Sequence, residues 1–135
     1  MGCSCSANLS EKQLSNIKNE MNTRNEKLIV DWSSAKYNGG LYGNNSTEGK
    51  VCLTNIHLYF LSPSIKIEQP LKKIHEVLYE ENFQNKKGDF AFFKLEQNKE
   101  FVLTFLENKD KLKADCKSLV AEKKQSVVEI EVLYL

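Results

Sequence analysis

The chain has 135 residues, 19 basic and 18 acidic side chains and a formal net charge of +1. That length is one domain with at most a short appendage, and 41% hydrophobic residues is enough for a core, which excludes a disordered tail. Near-neutral charge excludes a general nucleic-acid binder, and with Arg24 as the only arginine a phosphate site built on guanidinium forks is excluded almost everywhere.

The chain begins Met1-Gly2-Cys3-Ser4-Cys5-Ser6. Loss of Met1 exposes Gly2 for myristoylation, and Ser6 stands where the transferase favours a small hydroxyl residue. Cys3 and Cys5 lie beside that glycine, placed for palmitoylation once myristate touches a bilayer. One myristoyl chain binds marginally; a second acyl chain adds ~0.8 kcal/mol per buried CH₂ and makes residence long-lived. A polybasic second signal is absent, since residues 7–27 set Lys12, Lys18, Arg24 and Lys27 against Glu11, Glu20 and Glu26. Residues 1–9 therefore read as an acylated anchor, and covalent lipids make a membrane the first partner. Cys3 and Cys5 have no neighbouring Cys or His to complete a tetrahedral zinc site, so no metal is expected there. No apolar run reaches ~18 residues, and the start lacks the apolar centre of a secretory signal. The expected location is the cytoplasmic face of a membrane.

Residues 10–26 hold a helix, read over 10–22. Ser10 is its cap, Gln13 stands at the capping-box position, and Leu14, Ile17 and Met21 share a face. From Lys27 the pattern changes to strands. Leu28 to Trp32 is a short apolar run, and Tyr37 to Ser46 reads as a hairpin or long loop rich in turn formers. Glu48 to Thr54 and His57 to Ser62 are strands around a reversal at Asn55-Ile56. Ile65 to Glu68 is a short strand stopped by Pro70. Ile74 to Tyr79 is another, followed by a loop from Glu80-Glu81 into the polar turn Gln84 to Asp89. Phe90 to Leu95 and Phe101 to Leu106 form a hairpin around Gln97-Asn98-Lys99. Asn108 then caps a helix running to Lys124, with Asp110 in its first turn and Lys123 and Lys124 in its last. Leu112, Cys116, Leu119 and Val120 form its buried stripe. Cys52 and Cys116 read as small buried hydrophobes. Residues 126–135 alternate Val128, Ile130 and Val132 with Glu129 and Glu131, which reads as a final strand.

Short strands at regular spacing followed by an amphipathic helix predict a mainly β fold: a small antiparallel barrel or sandwich over residues 27–125, capped by that helix and preceded by another. The run Gly49-Lys50-Val51-Cys52-Leu53-Thr54-Asn55-Ile56-His57-Leu58-Tyr59-Phe60 resembles the signature of GRAM and pleckstrin-homology-like domains, carried by Gly49, Leu53, Thr54, Asn55, Leu58, Tyr59 and Phe60. Ile74 and Val77 fit a later strand of that pattern, and the helix from Asn108 fits the one that closes such barrels. The resemblance covers residues 27–124. Together with the doubly acylated start, the chain resembles the inner membrane complex sub-compartment proteins of apicomplexan parasites and related alveolates. That resemblance implies acyl-dependent anchoring to membrane sacs beneath the cell periphery, with the barrel serving protein contacts.

Phosphoinositide-binding members of this fold resemble each other in a basic cluster on the first two strands and their loop. Here Asp31 to Thr47 offers Lys36 alone, and Lys72-Lys73 and Lys86-Lys87 read as solvated lysines in turns. The unacylated domain is expected to show little phosphoinositide preference; a phosphoinositide-reading adaptor is the alternative function. No enzyme is expected: His57 and His75 stand in strand patterns without a nucleophile beside them, Glu80-Glu81 lacks metal-binding neighbours, and no cofactor motif is present. The expected function is a non-enzymatic, lipid-anchored interaction scaffold. Its candidate contact surface is the terminal strand, where Val128, Ile130 and Val132 would cap the protein's own sheet or pair with a partner or a second copy.

Overall fold

A single long strand, β1 (Leu28–Gly40), holds the two halves of the sheet together in a computed structural model that describes residues 11–133 in backbone and 11–124 in side chains. On one side β1 pairs with β2 (Thr47–Thr54), which pairs with β3 (His57–Leu61) and then β4 (Lys66–Pro70). On the other side it pairs with β7 (Glu100–Phe105), then β6 (Lys86–Leu95) and β5 (Ile74–Phe83). All seven strands are antiparallel, in the order β4-β3-β2-β1-β7-β6-β5. Only a 3₁₀ turn, Leu71–Lys73, joins the two edge strands β4 and β5. A link that short bends the sheet until its edges approach at one corner.

The concave face of this curled sheet carries the main core, including Tyr37, Leu53, Phe60, Phe93 and Phe101, all buried. Helix α2 (Lys109–Leu133) packs against β5, the 3₁₀ turn and β1, and inserts Leu112, Cys116 and Val120 into the open corner. The expected helical stripe is thus the plug of the core. Helix α1 (Glu11–Thr23) lies on the convex face, where Ile17 and Met21 cover Cys52, Tyr59 and Leu61, with Leu14 and Trp32 at the margin. Both thiols predicted as small hydrophobes, Cys52 and Cys116, are buried. Ser10, the expected cap of α1, lies outside the described residues.

Three local readings change. The expected loop from Tyr37 is strand as far as Gly40, because Gly39 and Gly40 take φ of 144° and 129°, a mirror-extended conformation open to glycine. A Cβ on Gly40 would stand 2.3 Å from the Glu100 carbonyl oxygen, so glycine lets β1 run close beside β7. Glu80 and Glu81 belong to β5 rather than a loop. The polar turn shrinks to Gln84-Asn85, both left-handed at φ 50° and 63°, as a two-residue primed hairpin turn demands. Asn108 stands at the start of α2 as expected, with φ 52°; its carbonyl accepts from the Leu112 amide at 2.9 Å, and its side-chain amide donates to Ser33 Oγ at 2.7 Å.

The largest correction is at the C-terminus. The expected strand over 126–135 is helical to Leu133, continuous with α2. No glycine or proline interrupts the chain after Asn108. Extending an existing helix adds one hydrogen bond per residue without a new nucleus, whereas a strand needs a sheet edge to pair with. A helical backbone no longer sets positions Val128, Ile130 and Val132 on one side, so the contact surface expected of that strand is withdrawn.

Candidate functional site

The junction between α1 and β1 is built around one carboxylate. Helix α1 ends in a left-handed Asn25, φ 56°. The Glu26 amide donates to the Met21 carbonyl at 2.9 Å and the Asn25 amide to Asn22 at 3.2 Å, the paired bonds of a Schellman cap. That cap turns the chain inward and delivers Glu26 beneath the β2–β3 turn, with its side chain fully buried.

Glu26 is met by side chains from β2, from β3 and from the end of α1. Thr54 Oγ1 donates at 2.6 Å and Tyr59 OH at 2.8 Å, and the Arg24 guanidinium stands in an ion pair with it, Nε at 3.2 Å. His57 Nδ1 faces Glu26 Oε1 at 3.2 Å; the carboxylate only accepts, so Nδ1 carries the hydrogen. Burial alone would raise the Glu26 pKa. The bonds from Thr54, Tyr59 and His57 outweigh it and hold the carboxyl below its ordinary 4.5. Burial, with the Glu26 charge beside it, pushes the Tyr59 hydroxyl well above 10, so Tyr59 stays a donor. Thr54 Oγ1 also accepts from the His57 and Ile56 amides, and Asn55 Oδ1 accepts from the Lys27 amide at 2.8 Å. Arg24 reaches on to Glu68 of β4 at 3.4 Å. One network thus locks α1 to β2, β3 and β4.

These contacts give the Leu53-Thr54-Asn55 run a structural meaning. Leu53, Leu58 and Phe60 face the core, while Thr54, Asn55 and Tyr59 hold the α1–β1 junction. Gly49 fits because a Cβ there would stand 2.3 Å from the Leu61 carbonyl. Sequence reading found Tyr59 and His57 as strand residues but passed over Glu26, which follows no periodic pattern.

The β1–β2 connection, residues 41–46, carries no cation. It is braced by Tyr37, whose hydroxyl donates to Gly43 O at 2.7 Å and accepts from the Tyr42 amide at 3.0 Å. Lys36 lies within β1, across from Glu48. Three lysines gather at the opposite end of the sheet. Ile56, His57, Pro70, Lys72, Lys73 and Lys123 surround an open hollow of about 390 Å³. Lys72 and Lys73, read from sequence as solvated turn residues, here share a hollow with a residue of α2.

Both described thiols are buried. Burial pushes both Cys52 and Cys116 up to about 12. Among the described residues no group of three His, Cys, Asp or Glu side chains is placed to hold a metal ion, and no helix is long and apolar enough to cross a membrane. Glu80, Glu81 and Asp89 line one hollow, where Lys113 pairs with Asp89 at 3.0 Å. Gly2, Cys3 and Cys5 lie outside the described residues, so no geometry is assigned to the expected acylation sites.

The molecule defined by these observations is a mainly β domain: a curled seven-stranded antiparallel sheet with a helix at either end of the chain. It is similar to the crystal structure of the C-terminal domain of an unknown protein from Leishmania infantum, with a TM-score of 0.59 and 17% identity, covering 82% of this chain and 99% of that one. At that identity the likeness speaks for the fold alone. No family model and no curated protein matches the chain.

Proposed function

We propose that this protein is a lipid-anchored, non-enzymatic interaction scaffold. Gly2 carries myristate, Cys3 and Cys5 carry palmitate, and a pleckstrin-homology-like barrel is held at the cytoplasmic face of the membrane. The pleckstrin-homology reading is supported by the Gly49-to-Phe60 signature and by the position of α2 at the open corner of the curled sheet. The inner membrane complex of an alveolate is the proposed site, on the resemblance of the acylated start joined to such a barrel.

The observation that carries the reading is the seat of α1. The helix that follows the anchor segment is clamped to the sheet by Arg24 and Glu26. A lipid signal next to a clamped helix fixes where the barrel sits, rather than leaving it on a slack tether. The cation-free β1–β2 connection speaks against the alternative, a phosphoinositide-reading adaptor that uses that loop.

Imaging of the tagged full chain in cells tests the proposal. Gly2→Ala should release the protein to the cytosol. Cys3→Ser with Cys5→Ser should leave weak contact spread over many membranes. Membrane residence undiminished by Gly2→Ala would overturn the reading.

A further inference from the structure

Resting on the interaction role proposed above, we infer that the free edge of β5 accepts an extended segment of a partner protein as an eighth strand. The segment carries cations four residues apart around an apolar centre. The sheet ends in β4 and β5, and β5 pairs with β6 alone. β4 is a poor template for pairing: it has five residues, begun by Lys66 and closed by Pro70. β5 has ten residues with neither lysine nor proline. Its register with β6 is unbroken over residues 76–80. Alternate residues of that run turn amide and carbonyl away from β6, and among the described residues no backbone group bonds to them there.

Helix α2 stands beside this edge without closing it. A hollow of about 190 Å³ lies between residues 75–78 and Lys117, Val120, Ala121 and Lys124 of the helix. Consecutive strand residues face the two sides of a sheet in turn, so a hollow lined by all four opens on the edge itself. Tyr79, the next residue, ties the strand to the helix: its hydroxyl donates to the Lys113 carbonyl at 2.6 Å. The two faces differ in chemistry. Val77 and Tyr79 belong to the main core, and Leu78 to the outer cluster of Phe90, Phe92 and Val102. Glu76 and Glu80 therefore flank Leu78 on the outer face, both exposed. Across from this run β6 offers one cation, Lys94, which is bonded to Glu100 at 2.7 Å. An added strand sets its own alternate residues beside Glu76, Leu78 and Glu80, where opposite charges on neighbouring strands attract. Cations at the first and fifth positions, with an apolar third residue, match that row. The second and fourth residues turn to the helix side. There Val120 and Ala121 give apolar walls, and Lys117 and Lys124 repel further cations. A second copy is the wrong occupant, because β5 against β5 sets two rows of glutamates on one face.

The test uses the full chain without acyl groups, titrated with the end-blocked peptide TKVLVKT and followed by amide chemical shifts. Saturable changes at residues 76–80 and at Val120 and Ala121 are expected, with a Kd on the order of 100 μM. The peptide TKVPVKT, whose central proline lacks an amide and interrupts strand pairing, should bind at least tenfold more weakly. Glu76→Lys with Glu80→Lys should weaken binding of TKVLVKT at least tenfold and accept the charge-reversed TEVLVET instead, a gain that only a folded variant can show. Glu11→Lys with Glu96→Lys, an equal change of charge at two exposed positions elsewhere, should leave binding unchanged. Absence of saturable shifts, equal binding of TEVLVET by the unaltered chain, or equal losses in the two double variants would overturn the strand site. None of these results depends on Gly2, Cys3 or Cys5, so failure of this edge and failure of the anchor are read separately.

Discussion

Tyr59 donates its hydroxyl hydrogen to the Glu26 carboxylate at 2.8 Å, joining the middle of β3 to the end of α1 across 33 positions of sequence. The carboxylate is buried, and Arg24, its nearest full cation, is itself part-exposed. The neutral donors therefore carry much of its stabilisation. Tyr59→Phe should lower unfolding stability by about 1.5–3 kcal/mol, since it leaves a buried charge with one donor fewer. Arg24→Ala should cost under about 1 kcal/mol, because solvent already screens that ion pair. Urea denaturation of the two variants checks the order; a larger loss in Arg24→Ala would reverse the assignment.

The same carboxylate makes the seat of α1 sensitive to acid. Glu26 titrates lower in the folded state than its ordinary 4.5. Its contribution is complete above that value and is lost as pH falls through the folded pKa. Trp32, the single tryptophan, packs beside α1, so its emission should report the loosening of the helix in acid. Glu107 also titrates low, through its bond from the Ser34 amide, but it lies before α2. Glu26→Gln should remove the acid-linked change at Trp32 while leaving that of Glu107. An unaltered tryptophan transition in the variant would show that Glu26 is not its source.

Thiol labelling separates the proposed anchor from the core. With Cys52 and Cys116 pushed up to about 12, roughly one thiol in ten thousand is ionised near pH ~8, and both are enclosed. Neither should react with a maleimide in the native chain, and both should react in denaturant. Label on the native protein should map by mass spectrometry to Cys3 and Cys5. Rapid native labelling of Cys52 would show that α1 does not cover it.

The C-terminal correction has its own test. Truncation after Gln125 removes residues 126–133 from α2, so circular dichroism at 222 nm should lose intensity. Leu112, Cys116 and Val120 stay in place, so the thermal transition should shift by only a few degrees. A truncated chain with unchanged helical signal would restore the strand reading.

Much of this molecule is legible before folding is considered. Val51 and Leu53 alternate with Cys52, and Leu58 and Phe60 with Tyr59; that period of two correctly assigns faces in β2 and β3. Leu112, Cys116 and Val120 repeat at helical spacing and mark the plug. The alternation of residues 126–135 looked equally clear, yet a run joined to a helix continues that helix unless something stops it. The β1 extension was hidden because Gly39 and Gly40 read as loop residues, whereas both continue the strand at positive φ and Gly40 lets it pass close beside β7.

The sequence by itself determined the mainly β class, the two amphipathic helices and the buried state of Cys52 and Cys116, because side-chain periodicity is a local property. It also carries Gly2, Cys3 and Cys5, the proposed acylation sites, which lie outside the described residues. Only the tertiary structure decided that Glu26 is the keystone of the α1 junction and that Lys72, Lys73 and Lys123 share a hollow. Both depend on which distant residues meet when the sheet curls, and no period along the chain records that meeting. Net charge near zero told of no basic excess in total; folding determined which lysines become neighbours.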